Sequence, residues 1–77
     1  KMKAYILVNV RIGQIKEVIK HLRSIDQVTE ASMTFGPYDA VAIIQVKDLN
    51  ELGAVISNSI HPIPGVLETL TCLAAEV

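Results

Sequence analysis

The sequence has few of the residues that bind metals or form disulfides, since it contains one cysteine and two histidines. A single cysteine, Cys72, excludes a disulfide within the chain and a cysteine-rich metal site. His21 and His61 are too far apart in the sequence to indicate a metal site, and we expect neither a metal nor a cofactor. We predict that Cys72 is a small buried hydrophobic residue in a strand.

The sequence also has neither a large excess of basic or acidic residues nor a long apolar run. Seven basic and eight acidic residues give a net charge of −1, and the basic residues are scattered, so we expect no direct contact with nucleic acid. No run approaches the roughly 18 apolar residues of a membrane span, and the N-terminus lacks the pattern of a secretory signal. The sequence therefore predicts a soluble, cytoplasmic protein with no membrane partner, and Met2 is its expected natural start.

Hydrophobic residues, in contrast, make up 51% of the 77 residues. A chain of this length hides only about 60% of the surface that its unfolded form exposes. So much apolar surface is difficult to cover within one small domain, and it favours burial against a partner chain. The composition thus predicts a homo-oligomer.

The hydrophobic pattern predicts the element order β-α-β-β-α-β. Short apolar or alternating runs predict four strands, at 4–10, 28–35, 40–46 and 66–73. Apolar residues at helical spacing predict two amphipathic helices, at 15–25 and 48–60. The two halves of the chain also resemble each other, because the first strand aligns with the third and the second with the fourth. A duplicated unit of this kind predicts an α+β, ferredoxin-like fold in which the first and third strands are central.

Individual residues in these elements have expected roles. Asp48 is expected to cap the second helix, and Glu51 to reach back to it as in a capping box. Met33 and Phe35 alternate with polar residues, and we expect both in the core. The buried stripe of the second helix is expected to consist of Leu49, Leu52, Ile56 and Ile60.

One face of the predicted sheet lacks a cover. Right-handed crossovers place both helices on the same face, so the other side of each central strand needs separate burial. Each large apolar side chain contributes about 1.5–3 kcal/mol when fully buried. We therefore predict a two-fold dimer with its sheets face to face, a dimeric α+β barrel. The residues expected in the dimer interface are Tyr5, Leu7, Val41 and Ile43.

Three stretches carry a resemblance to a known family: FGPYD (35–39), DLNELG (48–53) and IPGVLETLT (63–71). With the order of elements, they resemble the C-terminal effector domain of the leucine-responsive/asparagine regulator (Lrp/AsnC) family. The resemblance extends from about Ala4 to Leu73. It implies that residues 1–77 form a single effector module, of the kind called a RAM domain, without a DNA-binding domain.

The resemblance also implies a ligand and a site. Members of this family bind free amino acids where dimers meet in larger assemblies, so it implies an amino-acid effector, a ring of dimers that is expected to be an octamer, and association with full-length Lrp/AsnC regulators. An α-amino acid needs an anion for its ammonium group and N–H or hydroxyl donors for its carboxylate. We expect Thr69 and Thr71 to present their hydroxyls on the face away from the helices. The expected ligand-binding residues are Gly36, Pro37, Tyr38, Asp39, Thr69 and Thr71.

The residues alone leave other interpretations open. Gly36 to Asp39 also suit a plain hairpin connection, and threonine favours any strand. A regulatory domain of the ACT type shares the topology and binds amino acids, but its dimers usually join their sheets edge to edge. An assembly module without an effector and a small dimeric α+β barrel enzyme are further alternatives. The chain has no Ser-His-Asp, paired-carboxylate or metal-ligand spacing, so we expect that it is not an enzyme.

Overall fold

Residues 1–75 and 77, which the computed structural model describes, form four strands and two α-helices. The elements are β1 (Met2–Val10), α1 (Ile15–Arg23), β2 (Val28–Met33), β3 (Ala40–Val46), α2 (Leu49–Val55) and β4 (Val66–Leu73). A π-helical turn, Ile56–Ile60, continues α2. The predicted element order is confirmed. No helix in the described part of the chain is both long and apolar enough to cross a bilayer.

The strands form one antiparallel sheet in the order β2-β3-β1-β4. β1 and β3 are the central strands, as the internal repeat predicts, and β2 and β4 are the edges. This arrangement confirms the α+β, ferredoxin-like fold.

Alternate residues of the two central strands form the core with the helices. On β1 and β3, Ile6, Val8, Ile44 and Val46 are at most 2% exposed. They pack in one cluster with apolar residues of both helices and of the π turn, including the fully buried Leu22. Period two in the strands and period 3.6 in α1 thus place the apolar side chains on facing surfaces.

The other face of the sheet carries apolar side chains that this chain covers only in part. The four residues of β1 and β3 that are predicted for the dimer interface point away from the helices, as expected. Each of them is half-buried. Residues of β4 extend the same apolar surface to the sheet edge. The bare face, as this surface is called below, consists of Val41, Leu7 and Leu70 in one row and Ile43, Tyr5 and Cys72 in the next.

Cys72 and Phe35 differ from their predicted burial. Cys72 is exposed because it pairs with Tyr5 on the bare face of an edge strand. Phe35 is 94% exposed because β2 ends at Met33, two residues earlier than predicted. The Thr34 N–H donates to the Asp39 carbonyl at 2.9 Å and closes the hairpin, so Phe35 lies in the loop beyond the paired strands.

Met33 and Leu49 were also expected to be buried, and they are 51% and 61% exposed. Met33 is the last residue of an edge strand, where the helix above it leaves its side chain partly uncovered. In α2 the buried stripe is centred between Leu52 and Val55. At about 100° per residue, Leu49 lies about 90° around the helix from that centre.

The predicted cap of α2 is present in a modified form. Asp48 Oδ1 accepts a hydrogen bond from the Glu51 N–H at 2.8 Å. Glu51 reaches one residue further back than expected, because its Oε1 accepts from the Lys47 N–H at 2.7 Å. That backbone hydrogen bond, followed by one from the Gln27 amide, lowers the pKa of the Glu51 carboxyl below its ordinary value.

Two glycines have opposite roles, which substitution by alanine will reveal. Gly65 has a φ of +98°, and a Cβ there would lie 2.8 Å from the Gln14 Cβ. We expect Gly65→Ala to lower the free energy of unfolding by about 1–3 kcal/mol. A Cβ at Gly53 in α2 meets no atom within 4 Å, so Gly53→Ala should raise that energy by up to ~1 kcal/mol. Urea denaturation of both variants measures the free energy of unfolding. Equal changes in the two variants would contradict the opposite roles of Gly65 and Gly53.

Candidate functional site

Asp39 fixes the loop between β2 and β3 onto the end of β1. Its N–H donates to the Val8 carbonyl at 2.9 Å, and its Oδ2 accepts from the Val10 N–H at 2.7 Å. The Thr34 hydroxyl closes the same loop by donating to the Tyr38 carbonyl at 2.8 Å. Gly36 has a φ of +153°, a conformation that favours glycine. The loop is therefore held in one shape while the Asp39 side chain stays exposed to solvent.

A cleft of about 250 Å³ opens beside Asp39, where β1 leads into α1 and β2 leaves the sheet. We call it the Asp39 cleft. The segment after β1 contributes Arg11 and Ile12 to its lining, and the end of β2 contributes Met33 and Phe35. Within the cleft, Arg11 and Asp39 are the charged side chains, one of each sign.

The apolar side chains of the Asp39 cleft are unusually exposed. Ile12 is 99% and Phe35 is 94% exposed, and Met33 is half-exposed beside them. Single exposed apolar residues are normal on protein surfaces, but several around one concave site indicate a binding surface.

A larger groove of about 380 Å³ lies between α1 and the edge strand β2. It adjoins the Asp39 cleft through Ile15 and Met33, and its basic residues are Lys16, Lys20 and Arg23. The guanidinium group of Arg23 already donates twice to the Ala31 carbonyl, at 3.1 and 2.9 Å. None of the predicted ligand-binding residues lines this groove, and the smaller cleft is therefore the candidate site.

The structure brings only part of the predicted site together. Asp39 lines the cleft, whereas Gly36, Pro37 and Tyr38 shape the loop without lining it. The loop joins β2 to β3 and bonds to one edge of β1 through Asp39, and β4 pairs with the other edge of β1. Within one chain, the predicted residues of the loop and of β4 are therefore separated.

Thr69 and Thr71 point to the side opposite to the predicted one. They pair with Val8 and Ile6, and directly opposed residues of antiparallel strands project from the same face of a sheet. Both threonines thus project on the helix side, and the Thr69 hydroxyl lies 3.0 Å from Nε2 of His61. The expectation that they face away from the helices is wrong, because the β1–β4 register, which the sequence does not reveal, sets their orientation.

Sequence reasoning missed Arg11, Ile12 and the exposure of Phe35. Ile12 had a recognisable signal, since it is a large apolar residue between a strand end and Gly13, where a turn is expected. Phe35 continues an alternating pattern, and the sequence therefore predicts it within the strand. Arg11 has no signal in the sequence, because it gains its importance only from sharing the cleft with Asp39.

Asp39 should stabilise the fold as well as carry charge in the cleft. Replacing it by alanine leaves the Val10 N–H without its acceptor, and we expect Asp39→Ala to lower the free energy of unfolding by about 1–3 kcal/mol. Asp39→Asn keeps a side-chain acceptor at the same position and should cost clearly less. Urea denaturation compares them, and an equally small effect of both variants would show that the bond to Val10 contributes little.

Comparison with known proteins identifies the relatives of this chain. A family model described as the Lrp/AsnC ligand binding domain matches residues 3–77. The transcriptional regulator FL11 of Pyrococcus horikoshii is 38% identical over 75 residues, which cover 97% of this chain and 49% of FL11. The chain thus spans about half the length of FL11. The crystal structure of TTHA0845 from Thermus thermophilus has a TM-score of 0.95 and 31% identity, covering 100% of this chain and 96% of that one.

A more distant structural relative contains a ligand. The transcriptional regulator NMB0573 of Neisseria meningitidis, solved as a complex with L-Met, has a TM-score of 0.86. Its identity is 16%, over 97% of this chain and 50% of that one, so this comparison shows a common fold. The matching family and the curated relatives are transcriptional regulators, and the expectation that the chain is not an enzyme is confirmed.

Proposed function

Because the chain belongs to the Lrp/AsnC ligand-binding domain family, we propose that it is a regulatory module of transcription that binds a free amino acid and thereby changes its own assembly. The observation that carries the proposal is the exposed Asp39 carboxylate, held at the edge of a cleft by its 2.7 Å bond to the Val10 N–H. A carboxylate fixed in this way is a suitable partner for the ammonium group of an amino acid. The complex of NMB0573 with L-Met supports this ligand class.

The bare face supports a dimer as the basic unit of assembly. Its centre is apolar, and polar side chains of Lys3, Asn9 and Ser32 lie in the adjacent positions of the strands. An apolar centre with a polar rim is typical of protein interfaces. Two copies related by a two-fold axis cover both bare faces at once, and such a face-to-face dimer differs from the edge-to-edge pairing of ACT domains.

Higher assembly explains how the separated residues act on one ligand. β1 separates Asp39 from β4 within one chain, and in the proposed assembly Thr69 and Thr71 approach the ligand from a neighbouring copy. We propose a ring of dimers, an octamer, in which Gly36, Pro37 and Tyr38 shape one side of each site. The ligand shifts this assembly only by as much as its affinity differs between the assembled and free states.

The proposal includes four further statements about organisation, location and partners. Residues 1–77 act as a single effector domain, and the module works in the cytoplasm without contacting DNA directly. It also associates with full-length Lrp/AsnC regulators through the surfaces that join its own copies.

Calorimetric titration with the twenty L-amino acids tests the ligand. At least one amino acid should bind and change the mass of the assembly, measured by light scattering. Asp39→Asn should abolish binding and leave the dimer intact, because it removes the charge and keeps an acceptor for Val10. Asp26→Asn, which removes the same charge from an exposed loop outside the cleft, should bind normally. Unchanged affinity in Asp39→Asn would remove Asp39 from the site, and no binding of any amino acid would favour a module that only assembles.

Sedimentation equilibrium tests the dimer. Val41→Glu places a charge at the centre of the bare face, and we expect it to weaken self-association at least a hundredfold, since an unpaired charge in an apolar interface costs several kcal/mol. The matched variant Asn50→Glu adds the same charge at an exposed position of α2 and should associate like the wild type. Circular dichroism checks that both variants are folded. Equal association of folded Val41→Glu and wild-type chains would contradict this interface.

A further inference from the structure

The residues that line the Asp39 cleft indicate which kind of amino-acid side chain the site accepts. We infer that the cleft selects an amino acid with an uncharged, apolar side chain, and that Ile12, Met33 and Phe35 determine this selectivity. The inference rests on the proposed function, because it describes the specificity of the same site.

The two charges of the cleft match the backbone groups of the ligand. Asp39 suits the ammonium group, and Arg11 lines the same cleft with a charge of the opposite sign, which suits the carboxylate as a bidentate partner. The remaining lining residues carry no charge. A ligand with a charged side chain would therefore have one charge without a partner in the cleft, and that arrangement is unfavourable.

The side chain of the ligand meets an apolar wall. Ile12 and Phe35 are almost fully exposed, and Met33 is half-exposed beside them. All three line the one cleft although they come from two separate segments of the chain. An apolar ligand side chain would remove their surface from water, which is the main source of favourable free energy in such sites.

The one neutral polar side chain of the lining is already engaged. Thr34 lines the cleft, but its hydroxyl donates to the Tyr38 carbonyl at 2.8 Å and helps to close the loop. Its oxygen can still accept, but a carbonyl oxygen on the ligand side chain would lose water without gaining this hydroxyl as a donor, and sites discriminate against unpaired polar groups.

The size of the cleft agrees with a small ligand. Pockets for drug-sized molecules measure about 300–1,000 Å³, and the Asp39 cleft measures about 250 Å³. It therefore suits a single amino acid of medium size rather than a nucleotide or a peptide.

Competitive calorimetry with six named amino acids tests the selectivity. L-methionine, L-leucine and L-phenylalanine represent apolar side chains, and L-serine, L-glutamate and L-lysine represent polar ones. We expect the best apolar ligand to bind at least tenfold tighter than each polar one, the lower end of the roughly 10–200-fold that one apolar group gives. Polar ligands that bind as tightly as the apolar ones would overturn the selectivity while leaving the proposed function intact. If none of the twenty L-amino acids binds, both fail.

Variants of the wall assign the selectivity to residues. Phe35→Ser should weaken binding of the best apolar ligand at least tenfold and leave the weak binding of L-serine unchanged. Leu49→Ser removes an exposed apolar side chain outside the cleft and should change neither value. Because Phe35 is 94% exposed, its replacement leaves the fold intact, as a thermal melt will check. If Phe35→Ser weakens binding of both ligands equally, or of neither, Phe35 does not select the ligand side chain.

The carboxylate partner is tested separately with methionine amide, which lacks the negative charge of L-methionine. If Arg11 binds the carboxylate, the wild type should prefer L-methionine to the amide at least tenfold, and Arg11→Gln should lose that preference. A preference that survives in Arg11→Gln would overturn the role of Arg11.

Discussion

Helices on a single side of a four-stranded sheet impose the main constraint on this molecule. The middle residues of β1 and β3 are apolar on both faces, and the helices cover only the face of Ile6 and Ile44. The opposite face presents two adjacent rows of apolar side chains across three strands. Each Å² of apolar surface removed from water contributes about 25 cal/mol, so the exposed part of this face favours association with a second copy. The high hydrophobic content of so short a chain is a consequence of this requirement.

The same constraint explains where a ligand can bind. The helices occupy one face of the sheet, and in the proposed dimer a second copy covers the other, which leaves the ends and edges of the sheet open. The Asp39 cleft lies at one such end, where β1 leads into α1. Asp39 connects the sheet to the cleft. Its bonds to Val8 and Val10 fix the loop on β1, and its charged side chain lines the cleft. The proposed dimer interface and the proposed ligand site thus lie on adjacent parts of β1.

The sequence predicted those features that follow from local periodicity. Alternation and helical spacing correctly indicated all six elements and the orientation of Leu7 and Val41, and the internal repeat indicated the central position of β1 and β3. Features that depend on register or on where a strand ends could not be predicted in this way. Phe35 continues an alternating pattern that the strand itself does not follow, and Thr69 changes face with a shift of one residue in the β1–β4 register. The meeting of Arg11 and Asp39 in one cleft arises only in three dimensions.

Nuclear Overhauser measurements on a mixture of isotope-labelled and unlabelled chains test the central claim most directly. If a second copy covers the bare face, the methyl groups of Leu7, Val41 and Ile43 in labelled chains will show contacts to protons of unlabelled chains. Contacts of these methyl groups to water alone, in a sample that is folded and monomeric, would contradict the account.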